Sequence, residues 1–314
     1  MKKNLRLAML GMIPGNGHPY SWSAIINGFD PAALADCPYP AIQDYMGKRN
    51  PEEVGIDGAE VTHLWTDNAE EASSVVAFAK IPNIVSRPED VIGEVDAVII
   101  STDDGSDHVR RARAFVEAGL PVFVDKPLAT NREELTQFVK WQKGGARILS
   151  SSGMRYAPKL EELEGEKWDW MTNFTCKTWE RYGIHALEPI FRLVGPGFTQ
   201  IRCEAQAGSD IVYCRHESGF QATVAAIHEA YGSFGAIHAY GAKEQKAILL
   251  RDTYASFRGQ LVAVVEWLQT GVAPFPFEHT MEMMAILIAA QDSRERGGEL
   301  IAVQDILNPI LEKL

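Results

Sequence analysis

The chain has 314 residues, enough for two domains, and its 46% hydrophobic and 23% charged residues are typical of a globular protein with a sizeable core. The formal net charge of −12 argues against nucleic acid or an anionic membrane as the main partner, because both select clustered Lys and Arg. The four cysteines form no CxxC pair, which argues against a zinc site or a disulfide framework and predicts reduced thiols.

The amino-terminal segment predicts a buried strand followed by a helix. Residues 5–12 are a short apolar run that ends at a glycine-rich loop, which is typical of a parallel-sheet strand. Arg6 interrupts the run and no small-residue cleavage site follows, so we do not interpret it as a secretory signal. No stretch reaches the roughly 18 apolar residues of a membrane helix, and we expect a cytoplasmic protein. A helix is expected over 21–29, with Ser21 as its cap.

Residues 30–58 interrupt this pattern with four prolines and three glycines. We interpret them as an inserted loop with short helices near 31–36 and 42–48. Long loops inside compact domains often serve as lids. A cover over a functional site and a contact between subunits are both open alternatives for this insertion.

Strands and helices then alternate. Strands are expected over 59–67, 95–102 and 121–129, with helices over 68–80 and 106–120 between them. A helix over 131–145 and a strand from 146 follow. This alternation predicts a doubly wound parallel sheet with helices on both faces.

The second half of the chain has a different texture. Beyond about residue 155, short strand-like runs are separated by Gly, Ser and Asn rather than by helices, which predicts a large, mostly antiparallel open sheet. Helices are expected over 183–195 and near 256–270 and 278–295. The fold class is therefore α/β, with a parallel sheet first and an antiparallel sheet second.

The loop between the first strand and the first helix has the composition of a phosphate-binding turn. Gly11, Gly15, Asn16 and Gly17 lie where glycines let the backbone approach a diphosphate, next to the free N–H groups of a helix start. The spacing is G-x-x-x-G-x-G, and Ile13 stands where the usual pattern has its second glycine. A glycine turn without a ligand remains the alternative.

The end of the second strand is where such folds carry an acid for the ribose hydroxyls. Thr66 or Asp67 occupies that place. Asp67 would favour NAD by repelling a 2′-phosphate, whereas Thr66 leaves the choice between NAD and NADP open. No arginine is adjacent in the sequence, which favours NAD.

Residues 95–130 resemble the Gfo/Idh/MocA family of NAD(P)-dependent oxidoreductases. The resemblance rests on Thr102, His108, "VEAG" at 116–119 and "DKP" at 125–127, in that order. The loop after Thr102 is one residue longer than in the family, and an aspartate replaces the usual glutamate before the lysine. The resemblance implies a Rossmann domain whose cofactor contacts include Ser101, Thr102, Asp103, His108, Asp125 and Lys126.

Lys126 is the residue to which the resemblance gives a chemical role. It follows a strand end, where side chains face the ligand crevice of a parallel sheet, and Pro127 biases its backbone toward an extended conformation. A positively charged nicotinamide ring nearby would disfavour the ammonium form, so that Lys126 exchanges a proton with a substrate hydroxyl. Asp125 would orient it. The alternative is a surface ion pair at a strand end.

The segment "WERYGIHALEP" (179–189) resembles the family segment in which Asp-x-x-x-His opens a helix. His185 matches the histidine, Glu188 matches a later acid, and Arg181 stands in place of the aspartate. The resemblance implies that His185 assists proton transfer. Arg181 would suit a substrate carboxylate, and Glu180 or Glu188 would replace the lost acid. A packing role for His185 is the alternative.

His18 and Trp22 follow the glycine loop and are expected to close over cofactor or substrate. Arg155 and Tyr156 follow a strand end, and they are expected to line the substrate pocket together with His18, Arg181 and Glu188.

The sequence as a whole predicts a Rossmann dinucleotide-binding domain over 1–128 and a substrate-binding and oligomerisation domain over 129–314. Similarity to the family implies hydride transfer between nicotinamide and a sugar, polyol or related hydroxy or keto compound, in a homodimer or homotetramer formed through the second sheet. The alternative is a non-catalytic dinucleotide-binding sensor, like the galactose-pathway repressor proteins of the same superfamily.

Overall fold

The parallel sheet forms as expected. The computed structural model describes residues 4–230 and 234–313. Six parallel strands lie in the order β3-β2-β1-β4-β5-β6. They are β1 (Leu5–Leu10), β2 (Ala59–Trp65), β3 (Asn83–Ile84), β4 (Ala97–Ile100), β5 (Val122–Val124) and β6 (Ile148–Ser150). The helices of this part are α1 (His18–Asn27), α2 (Pro40–Gly47), α3 (Ala69–Ala79), α4 (His108–Glu117) and α5 (Arg132–Lys143).

Residues of β4 show why this sheet is buried on both faces. Val98 and Ile100 belong to one hydrophobic cluster, and Ala97 and Ile99 to another on the opposite face. Successive side chains of a strand point to opposite faces, so a continuous apolar run needs cover on both. Helices supply that cover, and the strand order reverses beside β1, which opens a crevice at the carboxyl ends of β1 and β4.

The boundaries of two elements differ from the expectation in ways that matter for the site. β5 ends at Val124, so Asp125 and Lys126 lie just past the strand. α1 begins at His18 rather than near Ser21. Proline is tolerated in the first turn of a helix, and Gly17 takes the cap position. Ser21 therefore lies inside α1, where its hydroxyl accepts a hydrogen bond from Tyr45.

The second sheet has seven strands in the order β12-β11-β7-β10-β9-β8-β13. β7 and β10 pair in parallel, and the other neighbours pair antiparallel. The strands are β7 (Trp170–Cys176), β8 (Phe198–Gln206), β9 (Ser209–His216), β10 (Gln221–Ile227), β11 (Ala236–Tyr240), β12 (Gln245–Leu249) and β13 (Ile301–Ala302). The helices are α6 (Trp179–Val194), α7 (Thr253–Thr270), α8 (Phe277–Glu295) and α9 (Val303–Leu311).

This sheet buries one face only. Its strands alternate buried and exposed side chains, which is typical of an antiparallel sheet with one solvated face. The buried face packs on α6 and α8. Large apolar side chains remain exposed on the other strand positions: Tyr213, Ile227, Tyr240 and Leu249. Along the described ranges, no helix combines the length and the apolar composition needed to cross a bilayer.

The parallel sheet runs past the predicted boundary at residue 128, because β6 pairs with β5. A helix from late in the chain also covers this sheet. Tyr254 and Phe257 of α7 share a hydrophobic cluster with Leu149 of β6. The two halves of the sequence therefore pack against each other at β6.

Candidate active site

The glycine loop is tied to the end of β4 by hydrogen bonds. The side-chain amide of Asn16 donates to the carbonyl oxygen of Ser101 at 3.0 Å, and the Ser101 hydroxyl donates to the carbonyl of Gly11 at 2.7 Å. Gly11 has a φ of +99°, and a Cβ atom there would lie 2.7 Å from Cγ2 of Thr102. The position therefore requires glycine, both for its backbone conformation and for its close packing.

This loop has the donors that a diphosphate requires. The backbone amides of Ile13, Gly15 and Gly17 have no hydrogen-bond partner within the described ranges. They adjoin the start of α1, whose first turn carries no acidic residue. The buried Oγ1 of Thr102 is likewise unpartnered among described atoms. A cleft of about 340 Å³ opens beside Ile13. Free amides at a helix N-terminus bind anions, so these residues fit a dinucleotide.

The insertion over 30–58 packs on this loop. The ring of Tyr39 and the side chain of Ile42 fill the space beside Gly17, and the Tyr39 hydroxyl donates to the carbonyl of Asn16 at 3.2 Å. Burial raises the pKa of Tyr39 to about 12, so it stays a neutral donor. Arg49, near the end of the insertion, lies over the ring of Tyr254 at 4.3 Å. The insertion thus joins the glycine loop to α7.

The two candidates at the end of β2 have different environments. The Thr66 hydroxyl donates to the carbonyl of Asn68 at 2.8 Å and is turned toward its own chain. Asp67 faces the glycine loop, where its Oδ2 accepts the amide of Met12 at 2.9 Å. Arg111 of α4 also binds Asp67, with Nη2 2.8 Å from Oδ1. No arginine is adjacent to this acid in the sequence, but the fold brings Arg111 against it.

Lys126 is buried rather than at the surface. Its side chain is 3% exposed, and its Nζ lies 3.6 Å from Oδ2 of Asp103 and 3.9 Å from Oδ2 of Asp125. Burial alone would lower the pKa of Lys126, but the carboxylates of Asp125 and Asp103 overcome it and raise the pKa above its ordinary value. In the chain by itself the ammonium is therefore favoured, and its loss beside a positively charged nicotinamide stays a prediction.

Arg181 holds a carboxylate of its own chain. Its Nε and Nη2 each lie 2.7 Å from an oxygen of Asp103, in a bidentate pair. Burial opposes the charge on Asp103, yet Lys126 and Arg181 keep the pKa of that carboxyl well below its usual range. The arginine assigned to a substrate carboxylate thus positions the carboxylate beside Lys126. Asp103, rather than Glu180 or Glu188, is the acid at this point.

His185 is buried on α6 with one nitrogen bound and one free. Its Nδ1 lies 2.7 Å from the Ser152 hydroxyl, and its Nε2 has no partner among the described atoms. Burial, followed by the charges of Lys126 and His18, holds the pKa of His185 well below 6.5, so the imidazole is neutral. The ring of Tyr182 contacts both Lys126 and His185. Its centroid lies 5.1 Å from Nζ of Lys126 and 4.7 Å from the centroid of the His185 ring.

Glu188 and Arg155 are linked to this histidine through Ser152. They form a buried ion pair at 2.5 Å, and Glu188 accepts the amide of Ser152 at 2.8 Å. Burial raises the pKa of Glu188. Burial likewise raises the pKa of the neighbouring Tyr156 hydroxyl. Both members of the ion pair were expected to line the pocket. The carboxylate of Glu188 faces Nε of Arg155 and the amide of Ser152, whereas Nη2 of Arg155 has no partner among the described atoms.

Two predicted histidines have different surroundings. His18 places Nδ1 2.7 Å from Oδ2 of Asp125, and its ring stacks on Trp22 at 4.1 Å. His18 therefore reaches the Lys126 group from the glycine loop. The ring of His108 is buried with Nε2 2.9 Å from the carbonyl of Thr102 and Nδ1 3.3 Å from that of Leu128. Both nitrogens of His108 thus face the backbone rather than the cleft.

Sequence reasoning missed three contributors to the site. Ser152 orients His185, Tyr182 contacts both candidate proton carriers, and Arg111 binds Asp67. Ser152 follows a predicted strand end, and Tyr182 lies one turn before His185 on the same helix. These two positions in the sequence could have identified both residues as candidates. Nothing in the sequence pattern pointed to Arg111.

Comparison with known proteins finds a family similarity in the first half of the chain. Residues 44–151 match the model of the Gfo/Idh/MocA family, described as an oxidoreductase family with an NAD-binding Rossmann fold. This part of the chain is similar to the Gfo/Idh/MocA family. The match includes β2, β4, β5 and the Lys126 segment, whereas the glycine loop lies ahead of it.

A related sequence matches about a third of the chain. Inositol 2-dehydrogenase 2 of Saccharopolyspora erythraea is 33% identical over 113 residues, which are 35% of this chain and 33% of that protein. The chain thus matches about a third of the length of that relative.

Solved structures share the whole fold at low identity. Myo-inositol 2-dehydrogenase from Lactobacillus plantarum has a TM-score of 0.74 and 14% identity, covering 96% of this chain and all of that one. An oxidoreductase from Agrobacterium radiobacter, solved with NAD+, L-tartaric acid and magnesium, has a TM-score of 0.73 and 12% identity, covering 97% and 100%. At such identities the likeness shows a shared fold alone.

Proposed function

We propose that the chain is an NAD(P)-dependent oxidoreductase acting on a CH–OH group or the corresponding carbonyl, with Lys126 and His185 in proton transfer. One observation carries the proposal. A buried lysine held between two carboxylates contacts the ring of Tyr182. A buried histidine, whose Nε2 has no partner among the described atoms, contacts the same ring. The lysine follows a strand of the parallel sheet, near a glycine turn whose backbone amides are unpartnered in the described part of the chain.

The glycine turn supplies the binding site for the cofactor. The amides of Ile13, Gly15 and Gly17 would hold its diphosphate, and the carboxylate of Asp67 would meet a ribose. The dinucleotide supplies the hydride acceptor or donor, a chemistry that no side chain provides.

Lys126 is the proton carrier that this geometry favours. As an ammonium it donates a proton from Nζ to the oxygen of a carbonyl substrate, which suits reduction. Oxidation of a hydroxyl requires the neutral amine, and a positive charge brought into the cleft lowers the pKa of the ammonium. The neutral Nε2 of His185 accepts a hydrogen bond or a proton from a hydroxyl group, because Ser152 holds its other nitrogen.

The substrate is proposed at the level of its class, a sugar, polyol or inositol-like compound. The relative named as an inositol 2-dehydrogenase matches only about a third of its length, and Arg181 and His185 lie outside the residues that match the family model. The local charges favour a neutral substrate over a carboxylate, because Asp103 occupies the guanidinium of Arg181 and two carboxylates flank Lys126.

The test combines binding with turnover. Binding of NADH and NADPH is measured by fluorescence, and turnover is followed at 340 nm with a panel of inositols, polyols and sugar acids. Lys126→Ala should lower kcat by about 10³-fold, the usual size of a general acid–base contribution, and leave dinucleotide affinity within a few-fold. Lys177→Ala is the matched control, because Lys177 Nζ also contacts Tyr182, 2.8 Å from its hydroxyl. It should keep turnover within a few-fold.

Two outcomes would count against the enzyme. Tight dinucleotide binding without turnover on any member of the panel supports the non-catalytic sensor. Equal losses in Lys126→Ala and Lys177→Ala would show a general disturbance around Tyr182 rather than loss of a proton carrier.

The homodimer or homotetramer stays a prediction, supported by the exposed Tyr213, Ile227, Tyr240 and Leu249 on the second sheet. A cytoplasmic location also stays a prediction.

A further inference from the structure

The carboxylate expected to meet the ribose is already paired with an arginine. Arg111 binds both oxygens of Asp67, with Nη2 2.8 Å from Oδ1 and Nη1 3.1 Å from Oδ2. The same Oδ2 accepts the amide of Met12 from the glycine loop. Asp67 is therefore not an isolated negative charge at the edge of the crevice.

The pair is held firmly in place. The Nε of Arg111 donates to both oxygens of Asp107, at 3.0 Å each, and the arginine side chain is only 9% exposed. A Cβ atom on Gly11 would lie 3.2 Å from Nη1 of Arg111 and 3.6 Å from Oδ2 of Asp67. The guanidinium thus packs directly behind the turn that would receive the dinucleotide, which distinguishes it from an ordinary surface ion pair.

We propose that Arg111 sets how this site distinguishes NAD from NADP, by neutralising the carboxylate of Asp67. The inference rests on the proposed dinucleotide binding. In doubly wound sheets the acid after the second strand meets the ribose 2′-hydroxyl, and its negative charge repels the 2′-phosphate of NADP. A guanidinium bound to both carboxylate oxygens offsets that repulsion and is itself a phosphate ligand.

Other charges near Asp67 favour binding of NAD over NADP. Glu70 and Glu71 lie in the first turn of α3, directly after Asp67. Arg110 lies next to Arg111 in the sequence, but its side chain is 70% exposed and it pairs with Asp107. We therefore expect the natural chain to bind both dinucleotides, with NADH bound more tightly by a modest factor.

The experiment measures dissociation constants of NADH and NADPH by fluorescence at one fixed ionic strength, with no substrate. Arg111→Gln leaves the charge of Asp67 uncompensated, so the ratio of Kd for NADPH to Kd for NADH should rise about tenfold. Asp67→Asn frees the guanidinium, so the same ratio should fall about tenfold. Arg110→Gln is the matched control, and its ratio should stay within twofold of the natural chain. Thermal unfolding checks that each variant is folded.

The outcomes separate this inference from the proposed function. Should neither dinucleotide bind the natural chain, the proposed function fails and the inference falls with it. Should both bind while Arg111→Gln and Arg110→Gln change the ratio equally, the role of Arg111 is overturned and the proposed function stands. If Arg111→Gln does not fold, Asp67→Asn decides alone, and an unchanged or raised ratio in that variant overturns the inference.

Discussion

Each end of the crevice contains an ion pair, Lys126 with Asp103 at one end and Arg111 with Asp67 at the other, and the two pairs differ in their exposure to solvent. At the Lys126 end, the side chains of Lys126 and Asp103 are 3% and 2% exposed. At the Asp67 end, the carboxylate that binds Arg111 is 32% exposed. Charges attract more strongly where water is excluded, but removing one partner there leaves a buried charge uncompensated.

The difference in exposure comes from what covers each end. α6 lies over Lys126 and brings Arg181, Tyr182 and His185 to it from the second half of the chain. Asp67 is contacted by α4 and the glycine loop, both from the first half. The second half of the chain therefore covers the Lys126 end of the crevice, whereas the Asp67 end is more exposed to solvent. Variants at the buried end should cost far more stability.

The largest stability effect is expected for Glu188→Ala, which leaves Arg155 buried without its partner. Removing one member of a buried ion pair costs about 3–5 kcal/mol. Urea unfolding measures the change in the free energy of unfolding. Glu164→Ala is the control, because Glu164 pairs with Arg192 in a much more exposed position, 2.7 Å from its Nη2, and should cost no more than about 1 kcal/mol. Equal costs in the two variants would contradict the contrast.

A smaller effect is expected in the pH dependence of stability. The native His185 stays neutral well below pH 6.5, whereas in the unfolded chain it binds a proton near that pH. The unfolded state therefore binds more protons as the pH falls below about 6.5, and stability decreases by up to about 1.4 kcal/mol per pH unit from this group.

His185→Gln tests this contribution. The variant should lose stability more slowly than the natural chain between pH 6.5 and 5, and the two slopes should agree above pH 7. Urea unfolding at a series of pH values gives both slopes. Parallel curves across the whole range would show that His185 is protonated normally in the native chain.

The smallest effect is expected at the Asp67 end. Asp67→Asn weakens the pair with Arg111, but it keeps an acceptor for the Met12 amide and leaves Arg111 bound to Asp107. Partly exposed ion pairs contribute about 0–1 kcal/mol, so the free energy of unfolding should change by no more than that. A loss near that of Glu188→Ala would mean that the Asp67 end is as tightly closed as the Lys126 end.

Local patterns were enough to predict much of the fold. The apolar runs of β1 and β4 and the intervening helices indicated the parallel sheet, and the alternation in the second half indicated the one-sided second sheet. Helix starts were less predictable. Ser21 was a plausible cap, but the chain uses Gly17 and Pro19 to begin α1 earlier, and the short β3 and α9 were missed.

The partners of the site residues were less predictable than the residues themselves. Resemblance to the family pointed to Lys126 and His185, whose roles stay predictions. Whether Arg181 faced a substrate or Asp103 depended on a contact between residues 78 positions apart, and Arg111 reaches Asp67 across 44 positions. Such contacts leave no periodic trace in the sequence.

The sequence by itself determined the order of strands and helices along the chain. It also determined that glycines and Lys126 follow strand ends and that His185 lies on a helix. Hydrophobic periodicity and turn residues act over a few positions, which is why the sequence was sufficient for this. Tertiary structure alone decided which charges meet, how deeply they are buried and therefore which protonation states they hold. Those properties depend on distances and on the exclusion of water by side chains from remote segments, and both exist only once α4, α6 and α7 have packed around the crevice.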